Sequence, residues 1–488
     1  MFSRSRLHPA FMLMNLLSSL RDMLVPLIFI LLTAYRGGSF EWWSLLAISA
    51  IFLYTVISSF LRWLRFYYVV TDQEIQIEYG LIVRKQRFIP FERIQAIQVT
   101  QGVIHRLFGL VKLQIETAGG SVEPEAQLSA LTKKQGDELR EWIRNREDEF
   151  EAETNGTERK AVEFESRIST KALFIVASTS GGFGVLFSFI AAVFSQIDQF
   201  LPERFYENMF QALISSSIAF LSIVVFLIAL IAWMVSMLST LIRFGGFTVK
   251  KQRDELIIER GLLEKRQVTV PINKVQAVRI DEGLLRQPFQ YAAISLEIAG
   301  DSGQEQEQST LIHPLIKRNE IYPFLKKVLP AFAEEVPFQA VPKRALRRYL
   351  IRSTWFFALL VCAAFFFIPV KFAILSIALL FIGLLFGWSK HRDAGWFLTD
   401  QLAAVRFRRL KRTTVLTIKK RIQAIESHQS LLQLRKQLAS FQISVLGGLF
   451  GKTYHIIDMD EKEAGELIHR LRPRKKSAQV NEDASDNE

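Results

Sequence analysis

The chain has 488 residues, 50% of them hydrophobic, yet 22% are charged and the formal net charge is +13. That balance excludes a single soluble globule and fits very apolar stretches alternating with charged ones. The lone cysteine, Cys362, excludes an intramolecular disulfide framework and a cysteine-rich metal site.

In chain order, the first apolar stretch covers residues 23–35 and is extended upstream by residues 11–20, with Arg21-Asp22 between them. It reads either as one tilted span or as an interfacial helix leading into a short span. No small-residue cleavage site follows it, so a retained anchor is expected. Five further stretches approach the roughly 20 apolar residues a crossing needs: 42–61, 172–196, 211–238, 353–370 and 372–389. Six spans in three hairpins result. The short connections hold only Arg36, Arg204 and Lys371, whereas the opposite flanks carry Arg4, Arg6, Arg62, Arg65, Arg243, Lys250, Lys251, Arg344, Arg347, Arg348, Arg352, Lys390 and Arg392. The excess of basic residues places both termini and all long segments in the cytosol.

The organisation expected is hairpin 1 over 1–61, a soluble domain over 62–150 and a charged linker over 151–171. Hairpin 2 follows over 172–241, a second domain over 242–335 and a basic linker over 336–352. Hairpin 3 takes 353–389, a third domain 390–473, and a polar, disordered tail 474–488.

The soluble segments are repeats. Gly80, Leu81, Gln86, Pro90, Gln95, Ala96, Gly102, Phe108, Glu116, Ala118 and Gly119 recur without a gap, 181 residues on, as Gly261, Leu262, Gln267, Pro271, Gln276, Ala277, Gly283, Phe289, Glu297, Ala299 and Gly300. The third copy lies at an offset of 328 residues. There Arg93-Ile94-Gln95-Ala96-Ile97 recurs as Arg421-Ile422-Gln423-Ala424-Ile425, while Gly80, Pro90 and Gly102 face Arg408, Ile418 and Ser430. Period-two alternation at Leu113, Ile115 and Thr117, matched by Ile294, Leu296, Ile298 and by Phe441, Ile443, Val445, predicts strands. Ile94 and Ala96 share one parity and Ile97 and Val99 the other, which predicts a β-bulge at Gln95, and likewise at Gln276 and Gln423. A side-chain hydrogen bond from each glutamine would fix it, and contact with a partner is the other reading of these three residues. Helix-like stretches at 133–146, 317–329 and 461–471 close the domains, with Thr132 and Asp460 as N-caps. Each domain is thus a small β-sandwich or open barrel with a C-terminal helix.

His8-Pro9, the strand entry at 67–72, the turn and strand at 80–90, the repeated Arg-Ile-Gln-Ala-Ile segment and Thr117-Ala118-Gly119-Gly120 carry a resemblance that covers essentially the whole chain. The chain resembles the bacterial pleckstrin-homology-like membrane proteins, in their three-copy YdbT type. The resemblance implies a pleckstrin-homology-like fold for each soluble domain and a plasma-membrane location. It also implies a role in envelope stress or antimicrobial resistance, and a shorter one-unit relative as partner.

No catalytic pattern accompanies these features. The histidines, His8, His105, His313, His391, His428, His455 and His469, form no H-E-x-x-H, and no P-loop, nucleophile elbow or dinucleotide fingerprint occurs. Gly181-Gly182-Phe183-Gly184 falls inside a span, where small residues serve helix packing. Spans two to six hold no Asp, Glu, Lys, Arg or His, which argues against a coupled transporter.

Basic clusters remain: Arg84, Lys85 and Arg87, then Lys265 and Arg266, then Arg408 and Arg409. They read as contacts to anionic headgroups or as solvated strand faces beside a negative membrane. Nucleic acid is not needed to explain the charge. The expectation is a non-enzymatic scaffold without cofactor or metal. It would bind membrane lipids and another membrane protein by its sheet faces or edges. A transport or export component working with a partner is the alternative.

Overall fold

The computed structural model describes residues 2–36, 42–71, 73–81, 83–117, 126–151, 163–179, 218–298, 310–335, 337–367, 370–447 and 451–471. Strand β1 (Phe2–Arg6) precedes helices α1 (Ala10–Arg36) and α2 (Trp42–Arg65). Then come β2 (Tyr67–Val70), β3 (Glu74–Tyr79), β4 (Lys85–Pro90), β5 (Ile94–Gln101), α3 (Val103–Leu107), β6 (Leu110–Thr117), β7 (Ala126–Thr132) and α4 (Lys133–Glu151). The order repeats with β8 (Phe164–Arg167), α5 (Thr170–Thr179), α6 (Ile218–Phe244), β9 (Thr248–Gln252), β10 (Glu255–Arg260), β11 (Lys265–Pro271), β12 (Val275–Glu282), β13 (Tyr291–Ile298), β14 (Leu311–Lys317) and α7 (Ile321–Val328). It repeats again with β15 (Gln339–Ala340), α8 (Leu346–Phe367), α9 (Val370–Asp393), β16 (Gly395–Leu398), β17 (Leu402–Arg408), β18 (Arg412–Ile418), β19 (Ile422–His428), α10 (Leu431–Leu434), β20 (Leu438–Val445), β21 (Lys452–Asp460) and α11 (Glu461–Leu471).

One feature differs from the sequence expectation: each helix pair is inserted after the opening strand of its domain. β1 pairs with β2, β8 with β9 and β15 with β16, all antiparallel. The segments 151–171 and 336–352 are therefore not simple linkers. They carry β8 and the start of α5, and β15 and the start of α8. Of the two readings of the first apolar stretch, the structure has the single helix: the residues around Arg21-Asp22 belong to the 27-residue α1.

The chain divides into two compact units, one built on Met1–Val275, Leu285–Leu329 and Gly447–Leu449, the other on Gln276–Leu284, Pro330–Leu446 and Phe450–Glu488. In the first unit, β1-β2-β3-β4 form one sheet, and a second runs β7-β6-β5-β11-β10-β9-β8. The second half of domain 1 thus shares a sheet with the first half of domain 2, joined by antiparallel β5 and β11 from Gln101↔Lys265 to Ile97↔Thr269. The core of domain 1 collects Ile75, Ile77, Ile89, Leu113, Ile115 and Leu128, each at most 2% exposed. Helix α4 closes it through Leu139 and Trp142, whose ring meets Phe91 edge-on at 5.3 Å.

In the second unit the same junction recurs. β12 pairs with β18 from Ala277↔Thr417 to Glu282↔Arg412, next to β17, β16 and β15. β19-β20-β21 form a separate sheet that packs its Phe441, Ile443 and Met459 with Trp396, Val405, Val415 and Leu467 of the same unit.

Local chemistry accounts for the shared details. Thr71 and Thr399 accept from and donate to the backbone three residues on, closing the β2–β3 and β16–β17 turns. Gly80 has φ +119° and Gly261 φ +100°, and a Cβ at either would lie 2.0 Å from a carbonyl oxygen, of Val83 or Glu264. In the third copy Arg408 stays in the strand, and β17–β18 closes one pair further, at Arg408↔Arg412. The register slips between Ile94 and Ala96 against β6, and between Ile422 and Ala424 against β20. Gln95 and Gln423 are thus the extra residues of two bulges.

The helices pair as α1 with α2, α5 with α6 and α8 with α9. Gly383 and Gly387 of α9 sit at the α8 crossing: a Cβ at Gly387 would lie 2.9 Å from Leu350 Cα and 2.9 Å from Tyr349 O. Among the described residues, three helical windows are long and apolar enough to cross a membrane: Ile48–Arg65, Phe226–Phe244 and Lys343–Phe367. Their large apolar side chains point outward, with Phe226 65%, Ile231 62% and Phe366 88% exposed, a surface that demands hydrocarbon. Gly181–Gly184, the connection at 197–210 and the tail 474–488 lie outside the described residues.

Candidate functional site

The first domain holds a cleft of about 660 Å³ where the domain-side ends of α1 and α2 meet the sheets. Phe11 and Met14 from the first turns of α1, and Phe66 beyond α2, give it an apolar wall. Arg62, Arg87 and Lys112 give it a cationic one beside the His105 ring, and no carboxylate lines it among the described residues. Its polar groups are held in place. His105 Nε2 lies 3.0 Å from Ser129 O, and the Arg87 guanidinium lies 5.8 Å from the Tyr79 ring. An apolar wall beside three cations is an arrangement that suits an anionic headgroup with its proximal chain.

The cation clusters read from the sequence divide into distinct environments. Arg84 donates to Glu78 Oε2 at 2.6 Å, and Gln86 and Arg4 donate to the same carboxylate at 2.8 Å each. The Arg84 hydrogen bond, with the nearby Arg84 and Arg4 charges, holds the Glu78 carboxyl below its ordinary range. Lys85 and Lys265 are exposed, and Arg266 donates to Glu264 at 3.0 Å. Arg408 is turned inward: its side chain is 6% exposed and paired with Asp393, so it does not present its charge outward as the sequence expectation required. Arg409 is exposed; burial, then the charge of Arg409, pushes the His455 imidazole below its ordinary range. Of the glutamines, Gln423 is exposed, the Gln276 backbone oxygen accepts from Thr417 Oγ1 at 3.0 Å, and the Gln95 side chain lies outside the described residues.

A second basic array is intramolecular. Arg344, Arg348 and Arg352 recur every four residues along the entry to α8, which puts them on one helix face. Arg348 Nε and Arg352 Nη2 each donate to Asp458 at 2.9 Å, and Gln433 Nε2 donates to it at 2.8 Å. Arg344 donates to Asp460. Asp458 is fully buried, with φ +61°. This array clamps the last sheet of domain 3 onto the helix that leads into the third pair. In the sequence these arginines indicated only orientation, because their acidic partners stand more than a hundred residues away. The one hint was Asp458-Met459-Asp460, an acidic pair in a basic domain. Arg62, His105 and Lys112 likewise lack any local pattern.

The domain architecture and the chain's relatives agree. A family model for the bacterial PH domain matches residues 25–147, 187–325 and 356–475. The chain belongs to the bacterial PH domain family. A Bacillus subtilis (strain 168) protein described as UPF0699 transmembrane protein YdbT is 33% identical over 480 residues, 95% of this chain and 97% of that one. No solved structure matches. The three-copy resemblance is thereby shown, and the chain is a bacterial membrane protein with repeated PH domains. In all three PH domains the helix pair separates the first strand from the second, so these domains are tied to the membrane helices at two points of one sheet.

Proposed function

We propose that the chain is a non-enzymatic, six-span plasma-membrane scaffold that holds three PH domains against the cytosolic leaflet and binds anionic headgroups. The amphipathic cleft of domain 1, bounded by the ends of α1 and α2 and with no carboxylate among its described lining residues, carries this reading. The six-span topology draws support from the three helix pairs and from the basic residues at their domain ends. Lys390 lies 4.6 Å from the Phe386 ring and Arg392 5.4 Å from the Trp388 ring, a cation–aromatic belt suited to a headgroup layer. A second membrane protein, such as a shorter one-unit relative, fits as a partner of the same scaffold.

The test uses the full chain in nanodiscs of phosphatidylcholine with and without phosphatidylglycerol, with bound lipid read by native mass spectrometry. Arg62→Ala with Lys112→Ala removes two cations, each contributing about 1 kcal/mol near a surface, so retention of the anionic lipid should fall by on the order of tenfold or more. Equal retention in the wild type and this variant would remove the lipid reading.

A further inference from the structure

The domain junction is built twice and left open at both ends. β5 pairs with β11, and β12 with β18. Translated through the repeat offsets, both pairings have one register: Gln101↔Lys265 in the first corresponds to Glu282↔Arg412 in the second. β4 is the counterpart of β11 and β18, and among the described residues it pairs on one side only, with β3. β19 is the counterpart of β5 and β12, and it pairs on one side only, with β20.

Exposure follows the pairing. Phe88 of β4 is 56% exposed, whereas its counterparts Thr269 and Leu416 are 5% and 1% exposed at the closed junctions. Ala424 of β19 is exposed, whereas its counterparts Ala96 and Ala277 are 2% and 0% exposed. Open strand edges with apolar side chains are templates for strand addition. These two are complementary halves of one junction.

We infer that β19 of one copy pairs antiparallel with β4 of a second copy, in the register of the internal junctions, so that chains assemble head to tail. The register sets Ala424 opposite Ile89, Ile425 opposite Phe88, Glu426 opposite Arg87, Ser427 opposite Gln86 and His428 opposite Lys85. The central pair is of opposite charge, and apolar pairs stand on one side of it. The interface is heterologous, so copies close into rings or extend as filaments according to the rotation between them. It goes beyond lipid binding and does not depend on it. Arg87 borders both features, which is why the lipid test above alters Arg62 and Lys112 instead.

Cysteine cross-linking in native membranes tests this in full-length chains with Cys362→Ser. One tagged chain carries Gln86→Cys and a differently tagged chain carries Ser427→Cys. Directly opposed residues of an antiparallel pair lie within disulfide reach. Oxidation should give a species bearing both tags. Arg87→Cys in place of Gln86→Cys points the thiol to the other face and should lower that yield roughly tenfold. Glu426→Arg or Arg87→Glu alone should reduce cross-linking of the Gln86/Ser427 pair, and the two together should restore it. The inference is overturned if no two-tag species forms while both thiols react with a maleimide. It is equally overturned if the register-shifted pair cross-links as well, or if Gln86→Cys chains join only a different, shorter protein. The Arg62→Ala, Lys112→Ala variant should cross-link like the wild type, which separates failure of this pairing from failure of lipid binding.

Discussion

Asp458 makes the sharpest energetic prediction. It is fully buried and accepts from Arg348, Arg352 and Gln433, so removing its charge leaves two guanidinium groups facing an apolar sheet. Breaking a buried ion pair from one side costs about 3–5 kcal/mol. The arginine side chains are 21% and 43% exposed, so water recovers part of that, and Asp458→Asn should cost about 2–3 kcal/mol. Asparagine tolerates the left-handed φ of +61° that Asp458 adopts. Alanine does not, and Asp458→Ala should cost about 1 kcal/mol more, whereas Asp458→Gly should fall back to the asparagine value. Pulse proteolysis of the full chain in detergent across a urea series measures these differences, with about 1.4 kcal/mol for each tenfold change in the cleavable fraction. A double-mutant cycle with Arg348→Ala should give a coupling of about 1–2 kcal/mol. If Asp458→Asn and Asp458→Ala both remain within about 0.5 kcal/mol of wild type, the clamp is not what fastens domain 3 to α8.

Two further outcomes follow from particular groups. Burial pushes His313 in domain 2 down to about 4 from an ordinary 6.5, beside the Phe324 ring at 5.2 Å. The unfolded chain therefore binds a proton that the folded chain refuses, and stability is full above about pH 6.5 and falls as pH drops towards 4. The loss is at most about 3 kcal/mol over that window, and His313→Phe should flatten the pH dependence of thermal unfolding. At the α8–α9 crossing, Gly387→Leu has no room against Leu350 and Tyr349, and it should make the third helix pair the first site of proteolysis in detergent. Unchanged cleavage would mean that the two helices do not rely on this approach.

The residues that could be read in sequence and those that could not differ for physical reasons. The apolar runs, the turn glycines and the bulge at Gln95 and Gln423 are local patterns, and each has a local consequence: lipid burial, a left-handed turn, a register slip. Thr132 and Asp460 cap α4 and α11 for the same reason, through Gln135 N at 3.3 Å and Lys462 N at 3.0 Å. The opening strands were not legible. Phe-Ser-Arg-Ser-Arg, Phe-Glu-Ser-Arg and Gln-Ala are short and polar, and each finds its partner only beyond a helix pair. Nor does period-two alternation name a partner, so β5 looks the same in sequence whether it pairs with its own domain or the next. Arg408 shows the opposite failure. Its position in a basic run suggested a surface role, but Asp393, fifteen residues upstream, draws it inward.

In the proposed topology all three PH domains face the cytosol, held there by paired crossings. Single cysteines in a Cys362→Ser chain, probed with a membrane-impermeant maleimide on intact cells, test it directly. Cysteines replacing Arg36, Arg204 and Lys371 should label from outside. Those replacing Lys85, Lys265 and Lys462 should label only after the membrane is permeabilised. Labelling of any domain position in intact cells, or of none of the three connections, would contradict the account.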